Sequence, residues 1–257
     1  MNYIDIHGHV NFPEYANREG VIARAHAGGV GMVTVGTDLA SSREAVTLAK
    51  THENMWATIG LHPVDSPEDF DIAAFAELAQ HPKVVALGEC GLDYFHATPE
   101  AIPRQRDVFM QHIDLANKVG KPLMLHVRNG TKGGNAYQEA ISILKEHARV
   151  RANFHFFAGT VEDATAIVEM GNTISFTGVL TFTTDYDAVV RSVPITHIMS
   201  ETDCPFVTPA PYRGTQNEPL HVREVVKAIA RIRGEDEEVV RSTLMSNARD
   251  FFGLRFA

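Results

Sequence analysis

The chain reads as a single α/β domain, a (β/α)8 TIM barrel, and three observations predict it. Eight short apolar runs recur along 257 residues, separated by stretches long enough for a helix. Six of the runs lead into ionisable residues, as expected where parallel strands share one functional mouth. No Pro/Gly/Ser-rich linker, low-complexity run or shift in composition divides the sequence, so one domain over residues 1–257 is expected. An open doubly wound sheet is the competing topology. It would carry a Gly-rich phosphate loop after its first strand, where this chain has His7-Gly8-His9.

The first strand, Tyr3–Ile6, opens an Asp5-x-His7-x-His9 pattern. Strand alternation predicts Asp5, His7 and His9 on one face with Ile4 and Ile6 on the other, and two imidazoles at a strand tip can grip one metal ion. The second strand is Met32–Val35; the third, Met55–Ile59, ends in Gly60-Leu61-His62-Pro63. The fourth, Val84–Leu87, runs into Gly88-Glu89-Cys90-Gly91-Leu92-Asp93, and the fifth, Leu123–Leu125, into His126-Val127-Arg128. The sixth, Val150–Phe154, is followed by His155; the seventh is Thr173–Phe176; the eighth, His197–Met199, leads into Glu201-Thr202-Asp203. Right-handed crossovers would bring these distant tips to one end of the barrel.

Helical signals lie between the strands. Val108, Leu115 and Val119 make an apolar stripe stopped by Gly120 and Pro122, and Val222, Val225, Val226, Ile229 and Ile232 make another stopped by Gly234. The acidic run Glu235–Glu238 suits a solvated helix start. His52, His81, His112 and His147 fall in or beside helices and are expected to be surface or capping groups.

Composition narrows the function. Lys and Arg number 23 against 32 Asp and Glu, a net charge of −9, which excludes a nucleic-acid coat protein built on basic stripes. Two bound divalent ions would add roughly +4 locally and make one place attractive to a phosphate. The two cysteines, Cys90 and Cys204, offer neither a disulfide framework nor a CxxC clip, and no apolar run is long enough to span a bilayer. A soluble, cytoplasmic protein without membrane or obligate protein partner is expected, its oligomeric state open.

The ordered motifs resemble the TatD family of metal-dependent hydrolases and deoxyribonucleases, within the wider amidohydrolase-like barrels. The resemblance runs from Asp5 to the final helix. It covers the opening Asp5-x-His7-x-His9, Gly60-Leu61-His62-Pro63, Gly88-Glu89-x-Gly91-Leu92-Asp93-Tyr94, Arg104-Gln105, Pro122 through His126-x-Arg128, His155-x-Phe157-x-Gly159, Glu201-Thr202-Asp203-x-Pro205, and Arg213-Gly214 followed by Asn217-Glu218-Pro219. Phe156 stands where the family usually has cysteine, Ala158 where it has a small hydroxyl residue, and Asn129 where it commonly has aspartate. These departures leave the ligands in place and bear on specificity.

The resemblance implies a metallo-dependent barrel with two divalent ions per subunit. His7, His9, Glu89 and Asp203 would hold one; Glu89, His126 and His155 would hold the other, with Glu89 as bridge. Two close cations need a shared anion, so the chemistry of the residues agrees. Imidazole and carboxylate donors suit Zn²⁺ or Mn²⁺, while the resemblance also implies Mg²⁺-supported nuclease activity.

Asp203, His62 and Glu89 are the catalytic candidates. Asp203 would hold metal and receive a proton from water; His62 would contact phosphate or protonate the leaving group. Arg128 and Arg213 offer guanidinium forks to a phosphate. Glu201 and Asp93 are expected to orient neighbours, Asp5 to neighbour a ligand or partner a histidine ring, and the cysteines to have no chemical role. The expected reaction is phosphodiester hydrolysis, with DNA ends or single strands as substrate. Its rivals are attack on an amide or ester carbonyl, including D-aminoacyl-tRNA deacylation, and a non-enzymatic metal-binding scaffold.

Overall fold

A computed structural model describes residues 1–65, 70–131 and 134–255. Its eight parallel strands are hydrogen-bonded in sequence order. They are β1 (Tyr3–Gly8), β2 (Val30–Val35), β3 (Met55–Ile59), β4 (Val84–Asp93), β5 (Leu123–Arg128), β6 (Ala152–Phe154), β7 (Thr173–Phe176) and β8 (Ile198–Ser200). The segment after β8 closes the ring: Asp203 N–H donates to His7 O at 2.9 Å, and His9 N–H donates to Cys204 O at 2.7 Å. The strand expectations hold with small boundary changes. β6 starts two residues after Val150, and β4 continues through Asp93, so Glu89 lies within a strand.

The alternating helices are α1 (Arg18–Ala27), α2 (Leu39–Thr51), α3 (Ile72–Leu78), α4 (Ile102–Val119), α5 (Ala136–His147), α6 (Val161–Glu169), α7 (Asp187–Ser192) and α8 (Val222–Arg233), followed by α9 (Glu237–Phe252). The two stop signals act as expected: Gly120 and Gly234 cap α4 and α8 at φ 69° and 67°, a conformation glycine adopts without a side-chain penalty. Asp236 caps α9 by accepting from Glu238 and Val239 N–H groups, leaving the acidic run at a helix start. No helix among the described residues is long and apolar enough to cross a membrane.

The larger core lies between strands and helices. A smaller cluster joins Ile4, Ile6, Val33, Trp56, Met124 and Met199 to Phe251, Phe252 and Leu254, so the end of α9 seals the barrel toward the strands' N-terminal ends. His112 departs from the expected surface role: it is fully buried on α4, receives Leu61 N–H at Nε2 (3.1 Å) and bonds Val108 O through Nδ1 (2.8 Å). It therefore ties α4 to the segment that carries His62.

Candidate metal centre

The six expected ligands converge. His7, His9, Glu89, His155 and Asp203 are buried, and His126 lies beside them. Glu89 divides the group. Its Oε2 lies 3.3 Å from His7 Nε2 and 3.7 Å from His9 Nε2, while its Oε1 lies 2.8 Å from His155 Nε2 and 3.1 Å from His126 Nδ1. Asp203 Oδ1 completes the first set at 3.4 Å from His9 Nε2 and 3.7 Å from His7 Nε2.

Backbone geometry explains Glu89's position. A Cβ at Gly88 would lie 2.1 Å from Met124 O, and one at Gly91 2.2 Å from His126 O. Only glycine lets β4 press this closely against β5 on both sides of Glu89. Gln105, near the start of α4, then fixes the strand end: its carbonyl accepts from Asp93 N–H, and its amide donates to Asp93 O.

The alternation expected for the first strand fails at one point. The β1–β2 register shifts between Asp5 and Gly8. Asp5 accepts from Thr202 through both its backbone N–H (2.8 Å) and hydroxyl (2.6 Å), and a Cβ at Gly8 would come within 3.3 Å of the same carboxylate. Asp5 thus shares a side with Gly8, not with His7, and partners Thr202 instead of a histidine ring. Burial pushes its carboxyl up to about 8 despite these hydrogen bonds.

Hydrogen bonds on the far side of the rings set their tautomers. His9 Nδ1 lies 3.1 Å from Val35 O, a pure acceptor, so Nδ1 carries the proton and Nε2 presents a lone pair. His126 Nε2 lies 3.0 Å from Asp93 Oδ2, which turns the Nδ1 lone pair toward Glu89. His155 Nδ1 makes no hydrogen bond, but lies 3.4 Å from Glu201 Oε1 as an ion-pair contact. Glu201 receives the Phe156 N–H and the Ser175 hydroxyl, and Ser175 receives an Asn153 amide N–H. Such outer partners orient metal-binding imidazoles. Asp93 serves as loop anchor too, accepting from Phe95 and His96 N–H groups.

The donors fit a metal ion better than they fit one another. His7 and His9 Nε2 atoms face each other at 3.3 Å, and His155 Nε2, buried against Glu89, makes no hydrogen bond with it. Paired lone pairs and buried carboxylates are costly without a proton or cation between them. The electrostatics point the same way. Burial pushes Glu89 up, yet the fields of the surrounding imidazoles, His155, His62 and His7 foremost, hold it well below the usual carboxylate range. Burial likewise opposes the charged form of His155, but Glu89 and Glu201 raise it well above the ordinary imidazole value. A field that attracts a proton so strongly also attracts a cation.

His62 differs from these imidazoles. Its Nδ1 accepts the Val64 N–H at 3.2 Å, so in the neutral ring the proton sits on Nε2, 3.5 Å from Glu89 Oε1. Its position would admit it to a donor set with Glu89 and His126, but its tautomer aims a proton, not a lone pair, into the cavity.

Arg128 lines this cavity of about 350 Å³ together with His62, Glu89, His126, His155 and Asp203, and its guanidinium lies 4.0 Å from the centre of the Phe95 ring. Arg213 does not line it. Its guanidinium donates to Thr208 O and lies 4.1 Å from the centre of the Phe182 ring. Cys90 and Cys204 are buried free thiols, and burial pushes both up, away from thiolate formation.

A parallel barrel whose mouth gathers imidazole and carboxylate donors in this way defines a metal-dependent hydrolase. The chain belongs to the TatD family: the model described as TatD related DNase matches residues 4–253. It is 37% identical over 257 residues to the uncharacterized metal-dependent hydrolase YabD of Bacillus subtilis, covering 96% of this chain and 98% of that protein. It is also 32% identical over 256 residues to the 3'-5' ssDNA/RNA exonuclease TatD of Escherichia fergusonii, covering 93% and 94% respectively. Among solved structures it resembles YJJV, a TatD homolog from Escherichia coli K12, with a TM-score of 0.90 at 25% identity over 99% of both chains.

Proposed function

We propose that the protein is a dinuclear metal-dependent phosphodiesterase that removes nucleotides from DNA ends or unpaired strands. The observation that carries this reading is the division of Glu89, one carboxylate oxygen facing His7 and His9 and the other facing His126 and His155. On this reading His7, His9, Glu89 and Asp203 hold one divalent ion, and Glu89, His126 and His155 hold the second. The mixed nitrogen and oxygen donors suit Zn²⁺ or Mn²⁺ and admit Mg²⁺.

Bound there, the ions would supply charge neutralisation on the phosphate oxygens and a nucleophilic water at neutral pH. The chain's own groups divide the remaining work. Asp203 accepts the proton released by the attacking water; burial disfavours its charged form, but the fields of His155, His7 and His9 keep its carboxyl low and ionised as a base. His62 delivers its Nε2 proton to the leaving oxygen. Arg128 binds a non-bridging phosphate oxygen at the cavity wall, and Arg213 contacts the strand farther out on the rim. Asp93 and Glu201 hold the His126 and His155 rings in place. The cytoplasm is the setting we assign to this reaction.

The name of the Escherichia fergusonii relative supports a nucleic-acid substrate, and Arg128 favours an anionic phosphate over a neutral amide. Chelator-stripped and metal-reloaded protein should be assayed on end-labelled single- and double-stranded DNA beside an aminoacyl ester. Metal-dependent release of short nucleotides is expected. Turnover of the ester with intact DNA would replace this substrate class by carbonyl hydrolysis.

A further inference from the structure

The metal cavity has a side chamber. About 180 Å³ in volume, it shares His126, Arg128, His155 and Phe156 with the main cavity and is completed by Val127, Ala158 and Tyr186. The expected ligands use only its inner edge. Val127, Ala158 and Tyr186 make its outer part aromatic and apolar, and Arg128 lines both spaces.

The chamber is held in shape by the backbone after β6. Phe156 has φ 43°, a left-handed conformation uncommon for a bulky side chain. Two anchors hold this turn: the Phe156 N–H donates to Glu201 Oε1, and the Ala158 N–H donates to the fully buried Tyr137 hydroxyl at 2.9 Å. Glu201 therefore positions His155 on one side and Phe156 on the other. Phe156 becomes a wall common to both spaces, and Tyr186 supplies a second ring from the segment just before α7.

We infer that this chamber receives one unpaired nucleobase adjoining the scissile phosphate, with Phe156 and Tyr186 as its aromatic contacts. The inference rests on the phosphodiesterase reading and adds to it a recognition site. A space of 180 Å³ is below the roughly 300 Å³ typical of drug-sized ligand pockets, so it suits a single planar ring system and excludes a base pair. Aromatic walls favour a base through its π-face, which every base possesses. Because the chamber opens beside His126 and His155, a base held there places its own phosphate within the metal cavity beside Arg128. The site thus selects frayed or single-stranded termini by requiring that the base be out of its pair. Ala158, small and exposed at the chamber wall, leaves the space open; a large side chain there would fill it.

The test compares metal-loaded protein on a single-stranded oligonucleotide and on the same strand made abasic at the nucleotide next to the scissile phosphate. The parent should show a kcat/KM ratio of roughly 5- to 100-fold in favour of the intact base, the range of one base–aromatic stack. Phe156→Ala and Tyr186→Ala should bring the ratio toward one by removing the walls, and Ala158→Phe should do so by filling the space. Titration with dAMP and with deoxyribose 5-phosphate reads the same contrast without turnover, with dAMP expected to bind more tightly to the parent.

A parent ratio near one, or one unchanged in all three variants, would overturn the base site while leaving phosphodiester cleavage standing. Equal binding of dAMP and deoxyribose 5-phosphate would also overturn it. Failure of the metal-loaded protein to cut either oligonucleotide would remove the nuclease reading, and the base site with it.

Discussion

Glu89 meets His155 at 2.8 Å through Oε1, yet no hydrogen bond joins them, and its other oxygen is turned to His7 at 3.3 Å. A carboxylate buried among imidazoles normally binds the proton of at least one. Here the far-side partners Val35 and Asp93 claim the ring protons of His9 and His126, so the inward nitrogens of these two rings remain lone-pair donors. That arrangement suits this mouth to a cation and sets apart His62, whose proton points inward.

Replacing His62 by Gln should lower kcat on DNA by about 100-fold or more, the usual contribution of a positioned acid or base. Metal content should remain at the parent value, because the His62 tautomer does not present a lone pair. Parallel kinetics and elemental analysis check this expectation. Loss of one metal equivalent would instead make His62 a ligand.

The two arginines should separate. Arg128→Ala should reduce kcat/KM for DNA by about 10- to 1000-fold, taking roughly 1.4–4 kcal/mol for a lost charge-assisted contact. Arg213→Ala should cost less than about 10-fold, since its guanidinium is occupied by Thr208 O and Phe182 outside the cavity. Steady-state kinetics on one labelled oligonucleotide suffices. Equal losses would move the strand's path toward Arg213.

His112 should set part of the acid stability. Burial lowers its imidazole from 6.5 to about 4, so below pH 6.5 the unfolded chain takes up a proton that the folded chain refuses. Folding stability should therefore fall as pH drops from 6.5 to about 4 and then level for this group, a total of about 3 kcal/mol. His112→Gln, which cannot titrate, should flatten that limb relative to the parent. Urea unfolding across this range, in chelator, reads the difference. Parallel parent and variant curves would remove the assignment.

The sequence carried the strand tips because ionisable residues and motif glycines sit at the ends of recognisable apolar runs. The convergence of His7, His9, Glu89, His126, His155 and Asp203 was legible for that reason, as were the stops at Gly120 and Gly234. The side of Asp5 was not legible: a register shift between Asp5 and Gly8 breaks the period-two pattern without changing composition. His112 lies on an amphipathic helix like a surface histidine, and its burial follows from the return of Leu61 onto α4. Arg213 lies in a Pro-rich loop whose path cannot be read from spacing, and the Phe156–Tyr186 chamber joins segments 30 residues apart with no shared motif.

Glu89 carries the central claim, and metal titration of Glu89→Gln tests it most directly. The variant keeps the side chain's shape while replacing the anion by a neutral amide. Calorimetric titration of metal-free parent with Mn²⁺ should give two equivalents, and the variant should lose affinity at both sites together, because one carboxylate faces both donor sets. Loss of one equivalent with the other retained at parent affinity would contradict the bridge and make Glu89 a ligand to a single ion.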